Sequence, residues 1–230
     1  MIKDSKYYLC FTFKILTVIF SIGGVILSLF NATLDGYKHW YNRTMYFTAQ
    51  SNLWIGSVFL AIIIIDLFFP NFNEKYYKKL YYLKYVLTVS ISVTGIVFLA
   101  LLAPFADESY HVWSLSGILT HILSPAFAIA DFFLDDYLII LNKKSSLKAI
   151  LPPLFYLLSV IIFHLLKIDF GRGQTFPYFF LNFSSPAGIF GFSNQAPFFM
   201  GSFYWLIILL VLVYLLALVY AKLKNNFQTH

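Results

Sequence analysis

Six long apolar runs, none alternating residue by residue, limit what this 230-residue chain can fold into more than any other feature. A bilayer's hydrocarbon core, about 30 Å thick, is crossed by roughly 20 apolar residues as a helix or about 10 alternating residues as a barrel strand. Continuous runs therefore select helices, whose backbone hydrogen bonds all close within the segment. The runs predict spans at Tyr8–Phe30, Phe47–Phe69, Tyr82–Pro104, Val112–Leu134, Ala149–Lys167 and Met200–Leu223. Composition closes off a soluble fold: 60% of the residues are hydrophobic and 11% charged, against about 45–50% and about 25% in soluble domains. A single cysteine, Cys10, excludes a disulfide framework. The expectation is an all-α polytopic membrane protein, residues 1–230 forming one six-helix transmembrane domain. Lys3 and Lys6 ahead of the first run resemble the basic start of a signal peptide. Phe30, however, stands where cleavage needs a small residue, so the run reads as a retained span.

The basic residues orient the bundle. With the N-terminus inside, Lys3, Lys6, Lys14, Lys75, Lys78, Lys79, Lys84, Lys143, Lys144, Lys148, Lys222 and Lys224 are cytoplasmic. Lys38, Arg43, Lys167 and Arg172 fall outside, a split of 12 to 4. The positive-inside rule then predicts both termini in the cytoplasm of a multi-pass cell-membrane protein. The net charge of +6 becomes a topology signal, and no nucleic-acid partner is expected. One loop is long. Residues 168–199 join the last two spans on the outer side, punctuated by Pro177, Pro186 and Pro197 and dense in phenylalanine. Structureless loops of this length are uncommon and often functional. Its apolar content predicts a segment lying on or re-entering the outer bilayer face, either as a lid over a lipid-facing site or as an interfacial cap.

Polar side chains at membrane depth are costly, so their positions are informative. Span two opens Phe47-Thr48-Ala49-Gln50-Ser51-Asn52, with Thr48, Ser51 and Asn52 on one helix face that Ile55, Phe59, Ile62 and Asp66 continue. In span four, Gly117, His121, Ser124, Ala128 and Asp131 share a face. The small residues among them admit a close neighbour, so this face is expected to point into the bundle. Pro125 has no N–H to give the His121 carbonyl, which frees that oxygen beside the imidazole. Each of these residues also has a plainer role as glue between helices. Asp66 and Asp131 lie near the cytoplasmic ends of their spans, where pairing with lysines suffices. No His, Cys, Asp or Glu cluster has ligand spacing, and phosphate loops are missing, so neither metal nor cofactor is expected.

Thr48 and His121 together point to chemistry. A threonine hydroxyl is a poor nucleophile until a base takes its proton. Neutral His121 suits that task and then protonates a leaving alkoxide. Gln50, Ser51 or Asn52 would orient the pair or donate hydrogen bonds to an oxyanion. A substrate reaching a site in the outer leaflet is itself lipid-like, and Arg172 or Lys167 would hold its carboxylate. His164, near the outer end of span five, joins Gln50, Ser51, Asn52 and Arg172 as a candidate substrate-binding residue. Depth poses a difficulty. Thr48 starts its span at the boundary, whereas His121 lies roughly 14 Å deeper than Val112 by helical rise. The depths agree only if span two starts earlier or span four later.

The segment Met45-Tyr46-Phe47-Thr48-Ala49-Gln50-Ser51-Asn52-Leu53, followed by Thr120-His121-Ile122-Leu123-Ser124-Pro125 and ending at Asp131, resembles the androgen-induced gene family. The likeness is greatest to that family's bacterial six-pass branch and extends over roughly Tyr41 to Tyr214. Gly173-Gln174-Thr175-Phe176-Pro177-Tyr178-Phe179 is similar to the Tyr-Pro-rich stretch before the family's last span. Animal members are six-pass hydrolases of fatty acid esters of hydroxy fatty acids, with an intramembrane threonine nucleophile and a histidine. The resemblance implies Thr48 in the threonine position and His121 in the histidine position. Another class fits the size and span count equally: a non-catalytic six-span binding or transport protein whose outer loop gates a small ligand. The two halves show no internal repeat, which argues mildly against a self-contained transporter. A structural protein, with every polar residue serving as helix glue, is the third reading.

Overall fold

A computed structural model describes residues 5–105 and 111–228. Lys3, Asp107 and Glu108 lie outside them. Among the described residues six helices are long and apolar enough to cross a membrane: α1 Ser5–Phe30, α2 Phe47–Phe68, α3 Glu74–Phe105, α4 Leu115–Leu134, α5 Lys143–Leu165 and α6 Ser202–Phe227. The chain is thus all-helical in its regular structure and of multi-pass membrane type.

Most boundaries differ by a few residues from those expected, and three starts do so for a clear local reason. Helix α3 starts at Glu74 rather than Tyr82, because Asn73 accepts a hydrogen bond from the Lys75 N–H and Glu74 favours the helix N-terminus. The lysine-rich first turns are helical although too charged for hydrocarbon. Helix α4 begins at Leu115, not Val112, where the Ser114 hydroxyl caps the Gly117 N–H at 3.2 Å. Helix α5 begins at Lys143, capped by Asn142, and is interrupted at Ala149–Ile150 before Pro152 and Pro153 enter the first turn of its longer part.

Helices α1 to α4 close into a ring in which each packs against two others, and α5 and α6 cover the remaining side of α3. Helix α3 is accordingly the most buried span and α6 the least. The stripe expected on α2 is interior: Ser51, Asn52, Ile55, Phe59 and Ile62 are all buried. So is the face of α4 formed by Gly117, His121, Ser124, Ala128 and Asp131. Leu60, Ile64, Leu158, Ile162, Ile208 and Leu215 point outward, where lipid chains make them inexpensive. Close approach depends on small residues. A Cβ at Gly56 would fall 2.4 Å from the Ser21 Oγ, so α1 and α2 touch nearly backbone to backbone.

Both ends of the described chain meet the α4–α5 connection on one side of the bundle. There Lys6 pairs with Asp136, and Asn225 brackets the Leu141 backbone at 3.1 and 2.8 Å. Just inside this termini side sits a closed ring of buried charges. Lys14 of α1 bridges Asp131 at 2.9 Å and Asp135 at 2.7 Å, and Lys84 of α3 bridges the same two carboxylates. Lys224 of α6 donates to the Asp135 carbonyl and Tyr81 to its carboxylate, the latter at 2.9 Å. Burial would push the Asp135 carboxyl up, but Lys84 and Lys14 outweigh it and hold the group well below the usual carboxylate range. Asp66 is placed apart, accepting from Tyr77 at 2.5 Å. The segments 31–46 and 166–201 lie on the opposite, loop side, where the Lys38 N–H donates to the Gly171 carbonyl at 2.8 Å.

Candidate active site

The loop side opens into a cavity of about 230 Å³ between α1, α2, α4, the end of α3 and the two loop segments. Thr48 and His121 both line it. Thr48 reaches it because Tyr46 is extended, at φ −88° and ψ 143°, and α2 starts at Phe47, leaving Thr48 in an uncapped first turn. Its backbone N–H lies 3.4 Å from the Tyr178 hydroxyl, and its own hydroxyl enters no hydrogen bond among the described residues.

His121 sits in a π-helical turn, Leu119–Leu123, immediately before Pro125. Helix α3 carries another, Phe98–Leu102, and α1 a third, Ile19–Gly23. Such turns re-aim side chains and are frequent at functional sites. Two of them meet here, since the His121 ring stacks on Phe98 with centroids 3.9 Å apart and planes 10° from parallel. The Nδ1 atom is buried without a hydrogen-bond partner. Gly95 lets α3 approach the His121 carbonyl closely; a Cβ there would stand 2.9 Å from that oxygen.

The later start of α4 bears on the expected depth difference. With α4 starting at Leu115, His121 is nearer the start of its helix than a start at Val112 implied, and it lines one cavity with Thr48. No hydrogen bond joins Thr48 to His121 among the described residues. Asn52 fixes their frame: its Nδ2 donates to the Thr48 carbonyl at 2.8 Å and to the Thr120 carbonyl at 3.0 Å. One buried amide thus ties the Thr48 turn to the residue preceding His121.

Of the other candidates, Arg172 lines the cavity and the rest do not. Gln50 turns away to the Thr44 carbonyl at 3.2 Å. Ser51 is buried against the Thr94 hydroxyl at 2.9 Å, joining α2 to α3. Asn52 stands behind the wall as the bracket just described. His164 lies edge-on to Phe183 at 5.3 Å, and Lys167 is exposed at a left-handed residue ending α5.

The loops supply groups that sequence reasoning missed. Arg43 and Arg172 both cover the Tyr37 ring, at 4.4 and 4.5 Å from its centroid. Arg43 pairs with Asp35, and Arg172 donates to the Asp35 carbonyl at 2.6 Å. The Arg43 Nε is buried without an acceptor. Both guanidiniums line the cavity wall, where they suit an anionic group. Burial pushes the Tyr46 hydroxyl well above the usual tyrosine range, with Tyr37 adding to it, so Tyr46 stays neutral. Arg43 was visible only as an outer-side charge, and Tyr178 only within the Tyr-Pro-rich stretch.

A smaller cavity of about 80 Å³ adjoins the first, walled mainly by apolar side chains of α3, α5 and α6 such as Val97, Leu157, Leu206 and Leu209. Thr48, Leu102 and Tyr178 line both. Among the described residues no three His, Cys, Asp or Glu side chains gather as metal ligands. No protein-family model, curated protein or solved structure matches this chain.

Proposed function

We propose that the chain is an intramembrane hydrolase of lipid esters, with Thr48 as nucleophile and His121 as base. It sits in the cell membrane with both termini cytoplasmic, and it belongs with the bacterial branch of the androgen-induced gene family. One observation carries the reading: Thr48 and His121 line a single cavity that is cationic at one wall and meets an apolar slot at Thr48. An ester of the fatty acid–hydroxy fatty acid type matches this layout. Its carboxylate goes to Arg43 and Arg172, its acyl chain to the apolar slot, and its ester carbonyl to the junction. His121 takes the Thr48 proton as the hydroxyl oxygen bonds to the carbonyl carbon, then returns it to the departing alkoxide. Water, deprotonated by the same imidazole, releases the acid. Thr48 and His121 make no hydrogen bond to each other without substrate, and catalytic hydrogen bonds often tighten only in the complex.

The test is labelling of the purified protein by a fluorophosphonate probe. Wild type is expected to label, and Thr48→Ala to lose labelling while unfolding at the wild-type temperature, since the hydroxyl it removes makes no hydrogen bond. Wild-type labelling in Thr48→Ala refutes the assignment. Orientation is tested separately in a Cys10→Ala background. A cysteine at Asn194 should react with an impermeant maleimide on intact cells, and one at Lys222 only after permeabilisation.

A further inference from the structure

We infer that the apolar slot gauges the acyl chain of the substrate, with Val93, Pro153 and Val213 as the specificity-determining residues that form its floor. This rests on the hydrolase reading and deepens it by naming which acyl chains the site accepts. Thr48, Leu102 and Tyr178 line both the polar cavity and the slot, so they mark its mouth on the loop side. From that mouth the slot runs inward between α3, α5 and α6. Helices α3 and α5 start on the termini side, and α6 starts on the loop side. On these helices the lining residues farthest from the loops are therefore Val93, Pro153 and Val213. Leu206 and Val213 stand about 10 Å apart by helical rise, so the slot is about two turns long.

The slot ends because α3 and α6 are fastened together beyond it. The Tyr220 hydroxyl donates to the Ser92 Oγ at 3.0 Å, and the Tyr85 hydroxyl to the Ala217 carbonyl at 2.8 Å. Val213 is 1% exposed and Ala217 fully buried, which leaves a chain nowhere to thread past the floor. The walls suit hydrocarbon, since Thr94, below the mouth, commits its hydroxyl to Ser51 at 2.9 Å. A substrate arriving from the bilayer leaves one apolar medium for another, so burial alone gives little preference among chains. Length is read by fit instead. An extended octanoyl chain is about as long as the slot, and a longer one meets the floor before its ester carbonyl reaches Thr48. A misplacement of about 1 Å at a reacting group costs on the order of 100-fold. A shorter chain leaves lining atoms without contacts.

The experiment offers the protein in lipid nanodiscs a mixture of esters of one hydroxy fatty acid that differ only in a hexanoyl, octanoyl, decanoyl or hexadecanoyl chain. Mass spectrometry reads the acids released, and their ratios are independent of how much protein folds. Wild type should favour octanoyl over hexadecanoyl by about 100-fold. Val213→Ala deepens the slot and should raise the decanoyl-to-octanoyl ratio by about tenfold, whereas Val213→Phe should shift the preference to hexanoyl. Val58→Ala, the same truncation in the core away from both cavities, should keep the wild-type ratios. Three results with Thr48-dependent turnover overturn the floor alone: no preference among chains in wild type, unaltered ratios in Val213→Ala, or a like shift in Val58→Ala. Turnover that survives Thr48→Ala, or none in wild type, overturns the hydrolase reading and this inference with it.

Discussion

Asp131→Asn tests how the bundle tolerates charge at membrane depth. Asp131 is fully buried and holds two lysines, Lys14 at 2.9 Å and Lys84 opposite it, in a ring otherwise completed by Asp135. Asparagine preserves the shape and removes the charge, so the ring changes from neutral to +1, with Lys224 nearby adding to the repulsion. Breaking one partner of a buried pair costs about 3–5 kcal/mol, because the remaining charge is stranded. A ceiling follows from chemistry: shedding one lysine proton at pH 7, from an ordinary pKa near 10.4, costs about 5 kcal/mol. The expected loss is therefore about 3–5 kcal/mol, which for a chain of this length corresponds to a fall of roughly 6–20 °C in Tm. Thermal unfolding in nanodiscs, followed by circular dichroism, measures it. Adding Lys84→Met restores neutrality, leaving the Lys14–Asp135 pair and an apolar side chain near the Phe59 and Tyr81 rings. The double variant should regain most of the loss. A single variant within about 1 kcal/mol of wild type, or a double variant no better than the single, would refute the reasoning.

Three further outcomes follow from the geometry. Gly171→Ala forces a side chain onto a residue at φ 107°, with its Cβ 2.7 Å from Asn42; a cost of at least about 1–3 kcal/mol and faster proteolysis of the 166–201 loop are expected. Gly95→Ala pushes against the His121 carbonyl and should slow fluorophosphonate labelling by about tenfold while sparing most of the helix content, since small misplacements at a reacting group are costly. Because Lys84 and Lys14 outweigh burial and depress the Asp135 carboxyl, its contribution to stability is present above the ordinary carboxylate pKa near 3.9 and is lost as pH falls from there toward its lower folded value. Tm should accordingly hold from pH 8 to about 5 and fall below about 4, whereas Asp135→Asn should start lower and change less.

Much of the fold was legible because hydrocarbon tolerates few errors in a sequence. A run such as Phe47–Phe68 has no other stable form in a bilayer, and polar residues within it must face inward, which located Thr48, Ser51, Asn52 and His121 on interior faces. The start of α3 was not legible from hydropathy: its first turns are lysine-rich, and the Asn73 cap, not apolarity, begins the helix. The start of α4 was likewise not legible, since Ser114, a cap, delays it past Val112, the later start that the depth argument required.

The site divides along the same line. Residue spacing named the threonine and the histidine, because helical periodicity is local and is written in the chain. Which polar neighbours do what depends on contacts between segments far apart in sequence. Periodicity put Gln50, Ser51 and Asn52 beside the candidate nucleophile, yet each spends its hydrogen bonds on Thr44, Thr94 or Thr120, and none reaches the cavity. Arg172 was named from its place in the outer loop, but its partner in the cationic wall, Arg43, was not; the two meet because the Tyr37 ring and Asp35 engage both. Tyr178 reaches Thr48 across 130 residues. Hydropathy alone therefore set the number and rough extent of the spans, because each helix satisfies its own backbone. The tertiary structure decided the chamber, because its walls are made where loops and helices close on one another.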